Sequence, residues 1–156
     1  MSNSTELTLT LKDHERAFTE VSFLLEILVK TIEIFVGKAS PSMAVTAGKN
    51  MSQNLPIHLS DPSPEKALEE LVLFLSHSLE IAGHFDGDKA VINLRQCPIR
   101  DVCAERGLPI DGQACQMFHY YIAGIMSGLT SRQIRPATLN TGEECSFQLT
   151  FANPRS

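Results

Sequence analysis

The stretch Cys97-Pro-Ile-Arg-Asp-Val-Cys103, continued by Cys115-Gln-Met-Phe-His119, joins a helical first part of the chain to a strand-rich end. Gly142-Glu-Glu-Cys145 adds the fourth cysteine at the start of the last predicted strand. Turn-forming residues after Cys97 predict a short irregular loop, bracketed by the first three cysteines, that leads into a helix: Pro98, Gly107, Pro109, Asp111 and Gly112. Because all four cysteines follow residue 96, the functional interpretation depends mainly on this part of the chain.

The first predicted helix runs from Asp13 to Gly37, where glycine is a plausible C-terminal cap. Its charged residues Glu26, Lys30 and Glu33 share one narrow face, and most of the remaining surface is apolar. Such a helix must be covered on more than one side, which the core and a dimer interface would together achieve.

Two further helices precede the strands. One is predicted from Ser40 to about Asn54. The next starts at Ser63-Pro64-Glu65, which combines an N-cap, a first-turn proline and an acidic residue near the helix dipole, and it is expected to stop by Gly83.

The end of the chain reads as strands around one helix. Asp86-Gly87-Asp88 predicts a hairpin turn, a fourth helix is expected at about 112–128, and two strands are expected at 131–138 and 145–151. This order predicts an α+β fold in which N-terminal helices pack on a small antiparallel sheet. One domain is expected over residues 13–152, with a tail or short strand at 1–12 and a tail at 153–156.

Composition narrows the functional class. A chain of 156 residues with net charge −5 and no basic run is most simply one domain without a nucleic-acid surface. The N-terminus lacks a secretory pattern, so a cytoplasmic location with reduced thiols is expected. The stretch Val21–Val36 is charged and too short for a membrane span. No pattern argues for catalysis, which leaves an enzyme role uncertain and less favoured.

The cysteines allow three interpretations. Cys97, Cys103, Cys115 and Cys145 supply enough soft ligands for zinc or an iron–sulfur centre if they meet in space, and His119 would be a spare ligand. Reduced cysteines are also often buried simply as packing groups. Redox-active thiols are the third possibility, since Arg100 and a helix N-terminus would lower a thiol pKa.

The aromatic run Phe118-His119-Tyr120-Tyr121 is either helix core or a pocket wall, because His119 could hydrogen-bond a ligand among apolar neighbours. The candidate ligand contacts are therefore four residues of the fourth helix: His119, Phe118, Tyr121 and Ile122.

Several short motifs resemble the 4-vinyl reductase domain family over roughly residues 13–152. They are Gly48 in the second helix, Cys97-Pro-Ile-Arg, Ala123-Gly124-Ile-Met-Ser-Gly128-Leu129 and the closing Gly142-x-x-Cys145-x-Phe147. Domains of the 4-vinyl reductase family are predicted to bind small molecules (hydrocarbons) and are similar in fold to subunits of the TRAPP vesicle-tethering complex. The resemblance implies a homodimeric α+β domain with a buried pocket for a small apolar or aromatic molecule.

The resemblance also bears on the metal. In phenol-sensing activators of that family, zinc is held by a helix cysteine, a Glu-x-x-Cys pair and a final cysteine. Cys115 and Cys145 resemble the first and last of these, but the middle pair is absent, because the corresponding strand reads Ile134-Arg-Pro-Ala-Thr138. Cys97 and Cys103 are expected to replace it. Residue 119 falls where such sensors place a pocket aromatic, which favours His119 as a ligand contact.

The function expected from the sequence is a sensor or carrier with a cysteine-ligated metal, which acts through a signalling partner protein. The alternatives are an enzyme accessory or redox sensor with an iron–sulfur cluster, and an adaptor without a ligand.

Overall fold

A computed structural model describes residues 8–153 of the chain. The helices are α1 (Leu11–Val36), a 3-10 turn (Gly37–Ala39), α2 (Ser40–Ser52), α3 (Pro64–Leu75), α4 (Pro98–Arg106) and α5 (Gln113–Thr130). The strands are β1 (Glu80–Asp86), β2 (Lys89–Gln96), β3 (Ile134–Thr141) and β4 (Cys145–Phe151).

The four strands form one antiparallel sheet in the order β1-β2-β4-β3. Helices α3 and α5 pack against β1 and β3, α2 packs on α5, and α1 packs mainly on α4. The core between helices and sheet is apolar, with Phe147, Leu71 and Met126 among its fully buried side chains. The predicted α+β class is therefore confirmed.

Glycines allow α2 and α5 to cross at very short range. A Cβ atom added to Gly48 would lie 2.9 Å from the Cα of Gly124, and one added to Gly124 would lie 2.9 Å from the Cα of Val45. These contacts are with backbone, which cannot rotate away as a side chain can. The small residues noted in both helices are thus a packing requirement.

Helix α1 begins two residues earlier than predicted. Thr10 is its N-cap, and a capping box with Asp13 fixes the first turn. Residues 1–7 lie outside the described part, so the tail or strand expected at 1–12 is described only from residue 8, and 8–10 have no regular structure. The domain bounds 13–152 stay a prediction. None of the helices in residues 8–153 is long and apolar enough to span a membrane.

Contacts from α4 hold the second half of α1. Arg106 donates a hydrogen bond to Glu26 at 2.7 Å, and its guanidinium lies 5.1 Å from the ring centroid of Phe23. Among the residues of α1 only Ser22 is buried. Most of this helix is therefore open to a partner.

The predicted end of the third helix is wrong. Helix α3 stops at Leu75, and Glu80–Asp86 forms β1 instead of continuing to Gly83 as helix. The turn at Gly87, with φ +64°, lets β1 pair with β2 along its whole length. Those strand hydrogen bonds override an apolar spacing that also fits a helix.

The irregular loop predicted after Cys97 is also wrong, because residues 98–106 form α4. Pro98 stands in its first turn, and Gly107 ends it with φ +62° and an N–H bonded to the Cys103 carbonyl. Proline at a helix start and glycine just past its end are helix signals, although the same residues also favour turns. Helix α5 and strand β3 both extend further along the chain than expected, to Thr130 and Thr141.

Candidate functional site

A small, partly enclosed cavity lies where α4, α5 and the turn between β3 and β4 meet. We call it the inner cavity, and it encloses about 10 Å³. A single buried water needs roughly 10–15 Å³ by the same measure, so the inner cavity has room for one water-sized group. Its lining consists of Cys97, Ile99, Arg100, Ile110, Cys115, Phe118, His119, Thr141 and Cys145.

His119 is the most deeply buried residue of this lining. Only 2% of its surface is exposed, and its ring stacks on Phe147 with centroids 4.2 Å apart. Its Nδ1 lies 3.3 Å from the hydroxyl of Thr138, and its Nε2 lies 3.9 Å from Cys145 Sγ. Burial lowers the pKa of His119, against a smaller opposing effect of the Asp111 charge, so the imidazole is neutral at neutral pH.

A chain of polar groups connects His119 to the surface. The Thr138 hydroxyl donates to Asp111 Oδ1 at 2.7 Å, and the Gln116 amide donates to the same oxygen at 2.6 Å. Asp111 stands just before α5 with φ +59°. The sequence offered no signal for this chain, because Asp111 and Thr138 are 27 residues apart and neither belongs to a recognisable motif.

The four cysteines are all buried free thiols. Cys97, Cys115 and Cys145 line the inner cavity, whereas Cys103 lies outside its lining and interacts with the Cys115 side chain. Burial raises the pKa of Cys97, and it raises the pKa of Cys103 and of Cys145 to about 11 each. These three thiols therefore stay protonated near pH 7, which makes them weak nucleophiles.

The structure does not arrange these thiols as metal ligands. Within residues 8–153 no group of three or more histidine, cysteine, aspartate or glutamate side chains is placed so that it could hold a metal ion. The four-cysteine centre, with zinc or alternatively an iron–sulfur cluster, stays a prediction.

Arg100 closes the rim of the inner cavity. Its guanidinium donates hydrogen bonds to the carbonyl oxygens of Thr141 at 2.7 Å and Glu143 at 3.2 Å. The side chain thus ties α4 to the turn between the last two strands. Because two of its five N–H donors bind these carbonyls, Arg100 acts as a structural clamp here.

A larger cavity lies on the other side of Phe118, between α1, α2, α4 and α5. We call it the outer cavity, and it measures about 250 Å³. Ile99 and Phe118 belong to the linings of both cavities and form the wall between them. The outer cavity is almost entirely apolar and is lined by Leu25, Val29, Ala44, Ala47, Ile99, Val102, Leu108, Ala114, Met117, Phe118 and Tyr121.

The four predicted ligand contacts are distributed over these features. Phe118 lines both cavities, His119 lines the inner one and Tyr121 lines the outer one. Ile122 is 2% exposed, belongs to the core and lines neither cavity. Sequence reasoning missed the residues that α1, α2 and α4 contribute, because their apolar side chains look like ordinary core on any one helix.

Comparison with solved structures gives one match at the level of the fold. The phenol-responsive sensory domain of the transcription activator PoxR, solved with phenol, matches 85% of this chain and 73% of its own, with 14% identity and a TM-score of 0.58. The two chains share a fold. A structure from a study of heme distortion in the H-NOX family matches 100% of this chain and 79% of its own, with 11% identity and a TM-score of 0.45. No family model matches the chain, and no curated protein matches it.

Proposed function

We propose that this chain is a sensor domain that binds a small apolar or aromatic molecule in the outer cavity. The observation that carries the proposal is the nearly all-apolar outer cavity of about 250 Å³. It shares a wall with the water-sized inner cavity, which His119 lines. Ligand pockets typically combine an apolar lining with a few polar groups that orient the ligand. The fold shared with a phenol-responsive sensory domain supports a sensor over an adaptor without a ligand.

The size of the cavity limits the ligand. An engineered apolar cavity of about 150 Å³ stays dry and binds benzene, so about 250 Å³ accommodates a single substituted ring. The ring would lie in the outer cavity among Leu25, Met117 and Tyr121. A rotation of Phe118 would admit one polar atom of the ligand to His119 in the inner cavity.

Helix α1 provides the output surface in this proposal. One stripe of exposed residues on α1, which we call the outward stripe, recurs at alternating spacings of three and four and carries no acidic or basic residue other than one histidine: His14, Ala17, Val21, Leu24, Leu28, Thr31 and Phe35. This spacing is that of a helix that packs along another helix. A second copy of this chain is the occupant we infer, because an uncharged stripe meets its own copy without like-charge repulsion. A signalling partner would then respond to the homodimer.

A thermal unfolding assay tests ligand binding. A ligand that binds only the folded state stabilises it by about 2.7 kcal/mol at 100 times its Kd. We expect phenol and benzene to raise the Tm of the anaerobically purified protein. A polar molecule of similar size, such as a small sugar, should leave the Tm unchanged. An unchanged Tm with both aromatic probes at millimolar concentration would favour the ligand-free adaptor. A brown protein would instead favour the iron–sulfur accessory.

A further inference from the structure

The hydrogen-bond chain behind His119 determines which ring nitrogen carries the proton. A carboxylate oxygen only accepts hydrogen bonds. The Thr138 hydroxyl, 2.7 Å from Asp111 Oδ1, must therefore use its single proton for Asp111. Its oxygen is left to accept through two lone pairs, and the groups that reach it are Gln116 Nε2 at 3.4 Å and His119 Nδ1 at 3.3 Å, which must therefore carry the proton.

We propose that Thr138 and Asp111 are positioning residues that hold His119 as its Nδ1–H tautomer, so that the inner cavity selects ligands that donate a hydrogen bond. A neutral imidazole with its proton on Nδ1 has a lone pair on Nε2. That lone pair faces Cys145, and the nearest partner it has is a thiol 3.9 Å away. The inference rests on the proposed function, since it concerns a ligand at this site.

The other groups of the inner cavity leave His119 as the ligand's main polar contact. Thiols are weak hydrogen-bond donors, so a hydroxyl would displace the Cys145 contact readily. Arg100 has only donor groups, two of which are bonded to the carbonyls of Thr141 and Glu143, so it cannot accept a hydrogen bond from a ligand. With about 10 Å³ available, the cavity admits one hydroxyl or amine group in place of a water.

The matched probes are phenol and its methyl ether anisole, which keep the same ring but differ in the donor. We expect the wild-type chain to bind phenol about tenfold more tightly than anisole by titration calorimetry, since one hydrogen bond contributes about 0.5–1.5 kcal/mol. Thr138→Val keeps the β-branched shape and removes the hydroxyl, and it should reduce the preference to about twofold. Thr138→Ser keeps the hydroxyl and should retain the tenfold preference.

Nitrogen-15 NMR of the imidazole tests the tautomer independently of any ligand. The resonances of His119 are identified by their loss in His119→Gln. We expect the Nδ1–H pattern in the wild type and in Thr138→Ser, and a mixture of tautomers in Thr138→Val. An Nε2–H pattern in the wild type, or an unchanged phenol preference in folded Thr138→Val, would overturn the inference. Failure of both probes to bind would end the proposed function and the selectivity, while the NMR spectrum would still decide the tautomer.

Discussion

The imidazole of His119 stacks on the ring of Phe147, with planes 19° from parallel and centroids 4.2 Å apart. Phe147 is fully buried at the centre of the sheet, in β4. The stack therefore places an ionisable group against the core, where its charged form would lose its hydration. This placement has a measurable consequence for the pH dependence of folding.

Stability should fall in mildly acidic solution because of His119. Burial lowers its pKa in the folded protein, while in the unfolded chain the pKa is about 6.5. The unfolded chain thus takes up a proton that the folded chain resists, and the free energy of unfolding falls by at most about 1.4 kcal/mol per pH unit below about 6.5. The titratable neighbours of His119, Asp111 and Cys145, are unchanged in the variant His119→Gln, which serves as the comparison.

Urea unfolding at pH 7.5 and 5.5 measures this effect for the wild type and for His119→Gln. The other histidines and the acidic residues contribute to both proteins, so the difference between them isolates His119. We expect a smaller loss of stability in the variant. Equal losses in both would show that His119 is protonated as easily in the folded chain as in the unfolded one.

The glycine crossing of α2 and α5 predicts unequal costs for two alanine substitutions. Gly124→Ala places a methyl group against the backbone of Val45 and should lower the free energy of unfolding by about 3 kcal/mol. Gly128→Ala meets the Ser52 hydroxyl, which can rotate away, and the Ser52 Cβ at 2.8 Å, which cannot, so it should cost less than Gly124→Ala, about 2 kcal/mol. Urea denaturation compares them, and a Gly128→Ala cost equal to or above that of Gly124→Ala would contradict the crossing.

Local signals predicted much of the fold. The Ser63-Pro64 start of α3 and the turn at Gly87 were read correctly, because capping and turn chemistry act within a few residues. The sequence predicts the end of α3 wrongly and predicts a loop in place of α4, because apolar spacing and proline–glycine pairs fit more than one structure. Only strand pairing and packing between elements decide among them.

The candidate site was predictable only in part. His119 and Phe118 stand in an aromatic run that is visible in the sequence, and both line the inner cavity. The Thr138 and Asp111 partners of His119 depend on how β3 and the start of α5 meet in space. Contacts of this kind leave no local pattern.

The outward stripe of α1 predicts a homodimer. Leu28→Glu places a charge in the stripe and should convert the dimer to a monomer of 17.2 kDa, as measured by light scattering after gel filtration. Ile34→Glu is the control, because Ile34 is an apolar residue of α1 that is even more exposed than Leu28, 79% against 47%, and lies outside the stripe. A wild-type monomer, or a Leu28→Glu dimer, would contradict the interface.

The four-cysteine metal centre predicts that Cys115→Ser and Cys145→Ser each remove the metal and lower the Tm. Because burial raises the pKa of Cys145 to about 11, a metal would have to displace its proton, so the metal affinity should weaken as the pH falls. Elemental analysis and native mass spectrometry of anaerobically prepared protein measure the metal content, and His84→Ala is a surface control. Unchanged metal in both cysteine variants would end this assignment.

The most direct test of a ligand in the outer cavity is to fill the cavity. Ala114 lines it, whereas Ala104 is an exposed residue of α4 outside both linings, so Ala114→Leu and Ala104→Leu add the same atoms in different places. Calorimetric titration with phenol should show wild-type affinity for Ala104→Leu and at least a tenfold loss for Ala114→Leu. Equal affinity in the two folded variants would contradict the account, because the ligand would then bind elsewhere.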